Sequence, residues 1–101
     1  MKHDAQAQRR SVDDLVLYHF PSCPFCQRVQ RTLAELGLQI ELRDIRAFPA
    51  YRDQLERATG DDMVPVLRIA GADGSVTWMP ESLDIVRYLE RCFGPPGHDA
   101  G

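Results

Sequence analysis

Apolar and polar positions recur along this chain with two different periods, and each change of period marks a new element. "LVLYHF", residues 15–20, is a continuous apolar and aromatic run stopped by Pro21, the pattern of a buried strand. From Pro24 the apolar positions Phe25, Val29, Leu33 and Leu36 return at helical spacing, and Gly37 follows as a left-handed cap, which predicts a helix of about three turns. "LQIELRDI" then alternates, with Leu38, Ile40 and Leu42 on one face and Gln39, Glu41 and Arg43 on the other, as in a strand with unequal faces. Pro49 suits a first helical position and Gly60 a position just past the end, so "PAYRDQLERAT" is a second helix, packed through Tyr51, Leu55 and Ala58. "VPVLRIA" and "VTWM" are short strands joined by "GADGS", a loop dense in turn formers, and read as an antiparallel hairpin. A third helix, from about Glu81 to Phe93, carries the stripe Leu83, Val86, Leu89 and Phe93.

The order is βαβαββα, an α/β arrangement with a four-stranded mixed sheet flanked by three helices. The first βαβ unit favours a right-handed crossover and a parallel pair. A site is expected at the strand ends, beside the start of the first helix. No repeat or second domain is evident in 101 residues, about one domain's worth. Residues 1–11 and 95–101, the latter from "PPGHDAG", read as loose tails around a domain at 12–94.

Composition narrows the class. A net charge of −3 and no run of lysines or arginines leave no footprint for nucleic acid or an acidic membrane surface. "MKHDAQAQRRS" lacks the apolar centre of a signal peptide, and no stretch is long enough to span a bilayer. Three cysteines suit a reducing compartment better than a disulfide framework, so a cytoplasmic location is expected.

The candidate chemistry lies in "FPSCPFCQRVQ". Cys23 falls at or just before the first turn of the first helix, where unpaired N–H groups and the positive end of the helix dipole stabilise a thiolate. Pro24 stands where a missing N–H costs nothing and a fixed φ helps start the helix. Cys26, three residues on, shares that helix face and lies within bridging reach. Two other readings stand beside a redox pair. Both thiols could be small core hydrophobes, which their position argues against. They could also be half a zinc site, needing two ligands from His3, His19, His98 or Cys92, none of which shows paired ligand spacing. Cys92 reads as a packing residue and Trp78 as core or sheet surface.

"LYHFPSCPFCQRVQRTLAELGL", "MVPVLRI" and "ESLDIVRYL" resemble a dithiol glutaredoxin, and the last two segments are also similar to the N-terminal domain of glutathione transferases. The likeness covers about residues 15–93 and implies a thioredoxin-like fold. It implies an enzyme, a glutathione-dependent thiol–disulfide oxidoreductase acting on glutathionylated or disulfide-containing proteins, with glutathione as co-substrate and no tightly bound cofactor or metal. Cys23 would be the attacking thiol and Cys26 the resolving one. Val64 and Pro65 match a cis-proline whose preceding backbone pairs with the cysteinyl part of glutathione. Glu81 and Ser82 match the γ-glutamyl position, where a helix start suits a carboxylate and Glu81 can meet the ammonium. Arg28 would pair with the glycyl carboxylate, and Phe25 would stack on substrate. A monomer is expected.

The match departs from the family at Phe25, where tyrosine is common, at Met63, where threonine is common, and at "WMPES", which replaces a glycine pair followed by an acidic residue. The second half leans toward the transferase domain, but a full transferase would carry a large helical domain after residue 94. The competing class is a non-catalytic module holding glutathione or an iron–sulfur cluster; cluster-binding members commonly lack a proline at the position of Pro24. A flavoprotein reductase is the alternative reductant.

Overall fold

Five consecutive residues of β1 (Leu15–His19) are buried, because this strand has neighbours on both edges and cover on both faces. In the computed structural model, which describes residues 12–94, β1 is followed by α1 (Pro24–Glu35), β2 (Glu41–Asp44), α2 (Pro49–Thr59), β3 (Val66–Ala70), β4 (Val76–Pro80) and α3 (Ser82–Phe93). A single 3-10 turn, Val12–Asp14, precedes β1. The sheet order is β2-β1-β3-β4, with β1 and β2 parallel and the other pairs antiparallel. This is the four-stranded, three-helix thioredoxin-like arrangement. The expected tails at 1–11 and 95–101 lie outside the described residues.

Alternation along β1 divides the core. Leu15 and Leu17 join Val29 and Leu33 of α1, Leu67 and Ile69 of β3, and Ile85 and Leu89 of α3 on one face. Val16 and Tyr18 join Ile45, Leu55 and Val66 on the other, under α2. The first cluster has two helices over it and the second has one, which contributes Leu55 as its sole buried side chain. At roughly 1.5–3 kcal/mol per fully buried aliphatic side chain, the α1/α3 face holds most of the hydrophobic stabilisation.

The helix ends follow the local chemistry expected of them. Leu38 N–H reaches Leu33 O at 2.9 Å and Gly37 N–H reaches Ala34 O at 3.1 Å, the paired bonds of a Schellman stop with Gly37 at φ 68°. Gly60, at φ 93°, closes α2 the same side of Ramachandran space, where a Cβ would be strained.

Four expected core positions are not in the core. Phe25 is 56% exposed although its angle around α1 is right, because it lies in the first turn, beyond the end of the sheet. Leu83 is 52% exposed because the buried face of α3 runs through Ser82, Ile85 and Leu89, about a quarter turn away. Leu42 is exposed because β2 is an outer strand with a neighbour on one side only, and the chain at 38–40 packs against the core without joining the ladder, so the strand is shorter than its alternation suggested. Ala58 faces outward, where it lines a cavity.

Candidate active site

The register decides which loops meet. Tyr18 pairs with Val66 and Val66 with Pro80, so the end of β1, the start of β3 and the end of β4 share one edge of the sheet. The segments that leave this edge carry Cys23, Val64–Pro65 and Glu81–Ser82, which lie far apart in the chain.

Cys23 is the N-cap of α1, in extended backbone at φ −79° and ψ 120°. Its sulfur accepts the Cys26 N–H at 3.4 Å, taking the place a serine or aspartate oxygen fills in an ordinary cap. Pro24 at the first helical position has no N–H to satisfy. The turn is further held by Cys23 N–H on Phe20 O at 3.1 Å and by the Gln27 side-chain amide on Pro21 O at 2.9 Å. Cys23 is 6% exposed and Cys26 fully buried. Burial first, then hydrogen bonding to Cys23 and the nearness of its charge, pushes the Cys26 thiol up to about 12; the Phe20 backbone acts the other way. Cys26 therefore stays protonated beside Cys23 at neutral pH.

Next to this turn, a cavity of about 690 Å³ is lined by Phe25, Arg28, Val64, Pro65, Glu81 and Ser82, together with Asp61, Met63 and Trp78. All six non-cysteine candidates from the sequence are thus brought together. The two cysteines are not among the lining residues, although Phe25 and Arg28 of the same helix are. The Val64–Pro65 peptide is cis, as the resemblance implies. Glu81 caps α3 through its backbone at φ 73°, a sparsely populated region for a residue with a Cβ, and its side chain makes no cap bond. Ser82 is buried, and its hydroxyl accepts from Arg28 Nη1 at 3.3 Å, a link across 54 residues that fixes the guanidinium at the mouth of the helix. Arg28 also lies 6.0 Å from the Phe25 ring centre.

Several residues here had no role in the sequence reading. Trp78, expected as core or sheet surface, is a half-buried wall of the cavity, tilted on Tyr18 at 5.5 Å between ring centres. Arg46 stacks 3.6 Å from the Phe20 ring centre and reaches Ser22 Oγ at 3.5 Å, which sets a fixed cation beside the loop of Cys23. Its only signal in sequence was a position soon after the second strand. His19 is buried, bonded to Gln30 at 3.2 Å, and desolvation holds it below the usual histidine range against the opposing pull of Asp44. Among the described residues no three His, Cys, Asp or Glu side chains come together as a metal site; His3 and His98 lie outside them. All three cysteines are free, Cys92 half-buried on α3. No helix among the described residues is long and apolar enough to cross a membrane.

Known proteins carry this arrangement. The family model described as "Glutathione S-transferase, N-terminal domain" matches residues 17–97. Glutaredoxin 2 of Escherichia coli K12 is 31% identical over 80 residues, covering 79% of this chain and 34% of that protein. The structure of glutaredoxin 2 from Salmonella typhimurium in complex with glutathione superposes with a TM-score of 0.61 at 28% identity, over 83% of this chain and 36% of the other. A trimeric glutathione transferase of Leishmania superposes with a TM-score of 0.67 at 28% identity, over 82% of this chain and 18% of the other. The chain spans about a third of the length of the curated relatives it matches. With a thioredoxin fold, a cis-proline and a helix-capping cysteine, and matched by that family model over residues 17–97, the chain belongs to the family of the glutathione S-transferase N-terminal domain.

Proposed function

We propose that this protein is a glutathione-dependent thiol–disulfide oxidoreductase of glutaredoxin type, with Cys23 as the attacking thiol and Cys26 as the resolving one. The observation that carries the reading is the Cys26 N–H on Cys23 Sγ at 3.4 Å, at the head of a helix whose next residues wall the cavity. A fixed donor at the sulfur, plus the helix dipole, stabilises negative charge there.

In the first half-reaction the Cys23 thiolate attacks the glutathione sulfur of a mixed disulfide. A Cys23–glutathione bond forms as the substrate's S–S bond breaks, and the leaving thiolate takes a proton from solvent. One free glutathione, as thiolate, then attacks that glutathione sulfur, giving glutathione disulfide and restoring the Cys23 thiolate; this incoming thiolate is the net reductant, since the glutathione carried by the substrate was already at the disulfide level. With an internal disulfide, Cys23 first bonds to one substrate sulfur. Cys26 then gives its proton to the thiolate that departed and bonds to Cys23, releasing the second substrate thiolate, which takes a proton from solvent; two glutathiones then reduce the Cys23–Cys26 disulfide and leave as glutathione disulfide.

In this reading glutathione occupies the cavity, in the position that the resemblance implies. The Val64 backbone pairs with the cysteinyl unit, Glu81 meets the α-ammonium, and the first-turn N–H groups of α3 meet the γ-glutamyl carboxylate. Arg28, expected from the resemblance at the glycyl carboxylate, bonds to Ser82, and in this reading its charge reinforces the γ-glutamyl end. No bound cofactor enters this scheme. A reducing cytoplasm is the compartment it requires, in keeping with three free cysteines, and a monomer suffices.

The test is reduction of the mixed disulfide of cysteine and glutathione, coupled to a glutathione-disulfide reductase. Turnover is expected in the wild type, abolished in Cys23→Ser and retained in Cys26→Ser, with reduction of an internal disulfide lost in both. Full turnover in Cys23→Ser refutes the assignment.

A further inference from the structure

The sheet face beneath α2 is incompletely covered. Beyond Leu55, toward β4, a shallow open cavity of about 400 Å³ is walled by Arg43, Arg57, Arg68, Tyr18, Gln54 and Trp78. Three guanidinium groups meet there and no carboxylate is among the lining residues, in a chain whose net charge is −3. The register produces this: Arg43 pairs with Tyr18 and Arg68 with Trp78, all on the face that α2 leaves open. Arg43 is already engaged. Its Nε bonds Glu41 at 2.6 Å, and its Nη1 donates to Tyr18 Oη at 2.9 Å and to Gln54 Oε1 at 2.8 Å, so Glu41 offsets part of its charge. Arg68 lies 5.7 Å from the Trp78 ring centre, and Arg57 stands in the last turn of α2; neither has an ion-pair partner among the described residues.

The second observation is continuity. Trp78 and Ala58 line this cavity and the glutathione cavity alike, so the two are neighbours across a shared wall. The γ-glutamyl carboxylate of glutathione is already provided for by Arg28 and the start of α3. We propose that the arginine-lined cavity is a docking subsite for an acidic segment of the polypeptide whose disulfide or glutathionylated cysteine is reduced. This rests on the thiol–disulfide exchange reading above. An open, shallow shape beside the reaction cavity suits a polypeptide running past it better than a small ligand, whose sites bury most of its surface. Opposite charge across such a contact raises the rate of encounter and selects among partners.

The test uses the full chain and two probes. A cysteine-free peptide of four glutamates, and its glutamine counterpart, are titrated against the fluorescence of Trp78, the single tryptophan of the chain. Saturable binding of the glutamate peptide alone is expected, weakening as salt rises. Arg57→Ala, on the exposed side of α2, should weaken it about two- to fivefold, the size of an exposed ion pair, and Arg68→Gln similarly. In the second arm, glutathionylated peptides with glutamates or glutamines flanking the cysteine are reduced. A higher kcat/KM is expected for the acidic peptide, lost in Arg57→Ala, while the rate on the cysteine–glutathione mixed disulfide is unchanged. Equal binding of the two peptides, citrate or phosphate binding as tightly as the glutamate peptide, or binding without a kinetic advantage each overturns the proposal. Failure of the exchange reading is separate: it appears as no turnover of any disulfide, and the peptide titration still decides the docking.

Discussion

Cys26 offers a sharp test of the dithiol geometry. With its thiol held at about 12, about one molecule in 100,000 carries the thiolate at pH 7. An ordinary cysteine near 8.5 is about 3% ionised there, a ratio of about 3,000. The more basic thiolate is intrinsically more nucleophilic, and a Brønsted slope of 0.4–0.5 over 3.5 units returns about 25- to 60-fold. Cys26 should therefore alkylate roughly 50- to 120-fold more slowly than a free cysteine at pH 7, before its complete burial slows it further. The assay is timed labelling with a neutral alkylating reagent, digestion, and fragment-ion assignment within the peptide that holds both cysteines. The label should appear first on Cys23, and the Cys26 rate should climb tenfold per pH unit without a plateau below about pH 11. Stability carries the same signature. The folded state holds the Cys26 proton more tightly than the unfolded chain, so this contribution is whole below about pH 8.5 and is lost as pH rises toward about 12. Relative to Cys26→Ala, the folding constant should fall by up to tenfold per pH unit across that window. Labelling of Cys26 at the rate of free glutathione at pH 7, or a plateau near pH 9, would show that the burial and hydrogen bonding do not act on this sulfur as described.

Three further outcomes follow from particular contacts. Arg28→Ala should raise KM for glutathione about tenfold or more, the scale of a charged hydrogen bond, and by the same factor for the glycyl ester of glutathione; a loss that vanishes with the ester would return Arg28 to the glycyl carboxylate. Leu55→Ala removes the only side chain that α2 buries and should cost about 2–5 kcal/mol in denaturant unfolding, whereas a cost under about 1 kcal/mol would mean that α2 is held by its polar contacts. His19 is depressed by burial, so the unfolded chain takes up its proton first and stability declines as pH falls through about 6.5. His19→Gln should flatten that decline between pH 7 and 5 in chemical denaturation, and an unchanged slope would assign it to other groups.

Short-range periodicity and turn chemistry were enough to read the elements themselves. Pro49 and Gly60 bracket α2 at its observed ends, because a fixed φ and a left-handed stop act within a few residues. Cys23 and Pro24 could be placed at a helix start for the same reason, and the six cavity candidates came with the family resemblance. The errors share one cause. Phe25, Leu42, Ala58 and Leu83 have the right spacing for a core, yet burial depends on where a helix ends relative to the sheet and on which strand is outermost, and neither is a local property.

What the sequence by itself determined is the order of strands and helices and a cysteine at a helix cap, since each rests on interactions between residues close along the chain. Only the tertiary structure decided which side chains meet. The pairing of Tyr18 with Val66 and of Val66 with Pro80 draws three distant loops to one edge, and that edge joins Arg28 to Ser82. The same sheet packing turns Arg43, Arg68 and Trp78 to one face and leaves it half covered by α2. The physical reason is that strand register and helix docking are settled by burying the whole apolar surface at once, a global balance that no single stretch of residues contains.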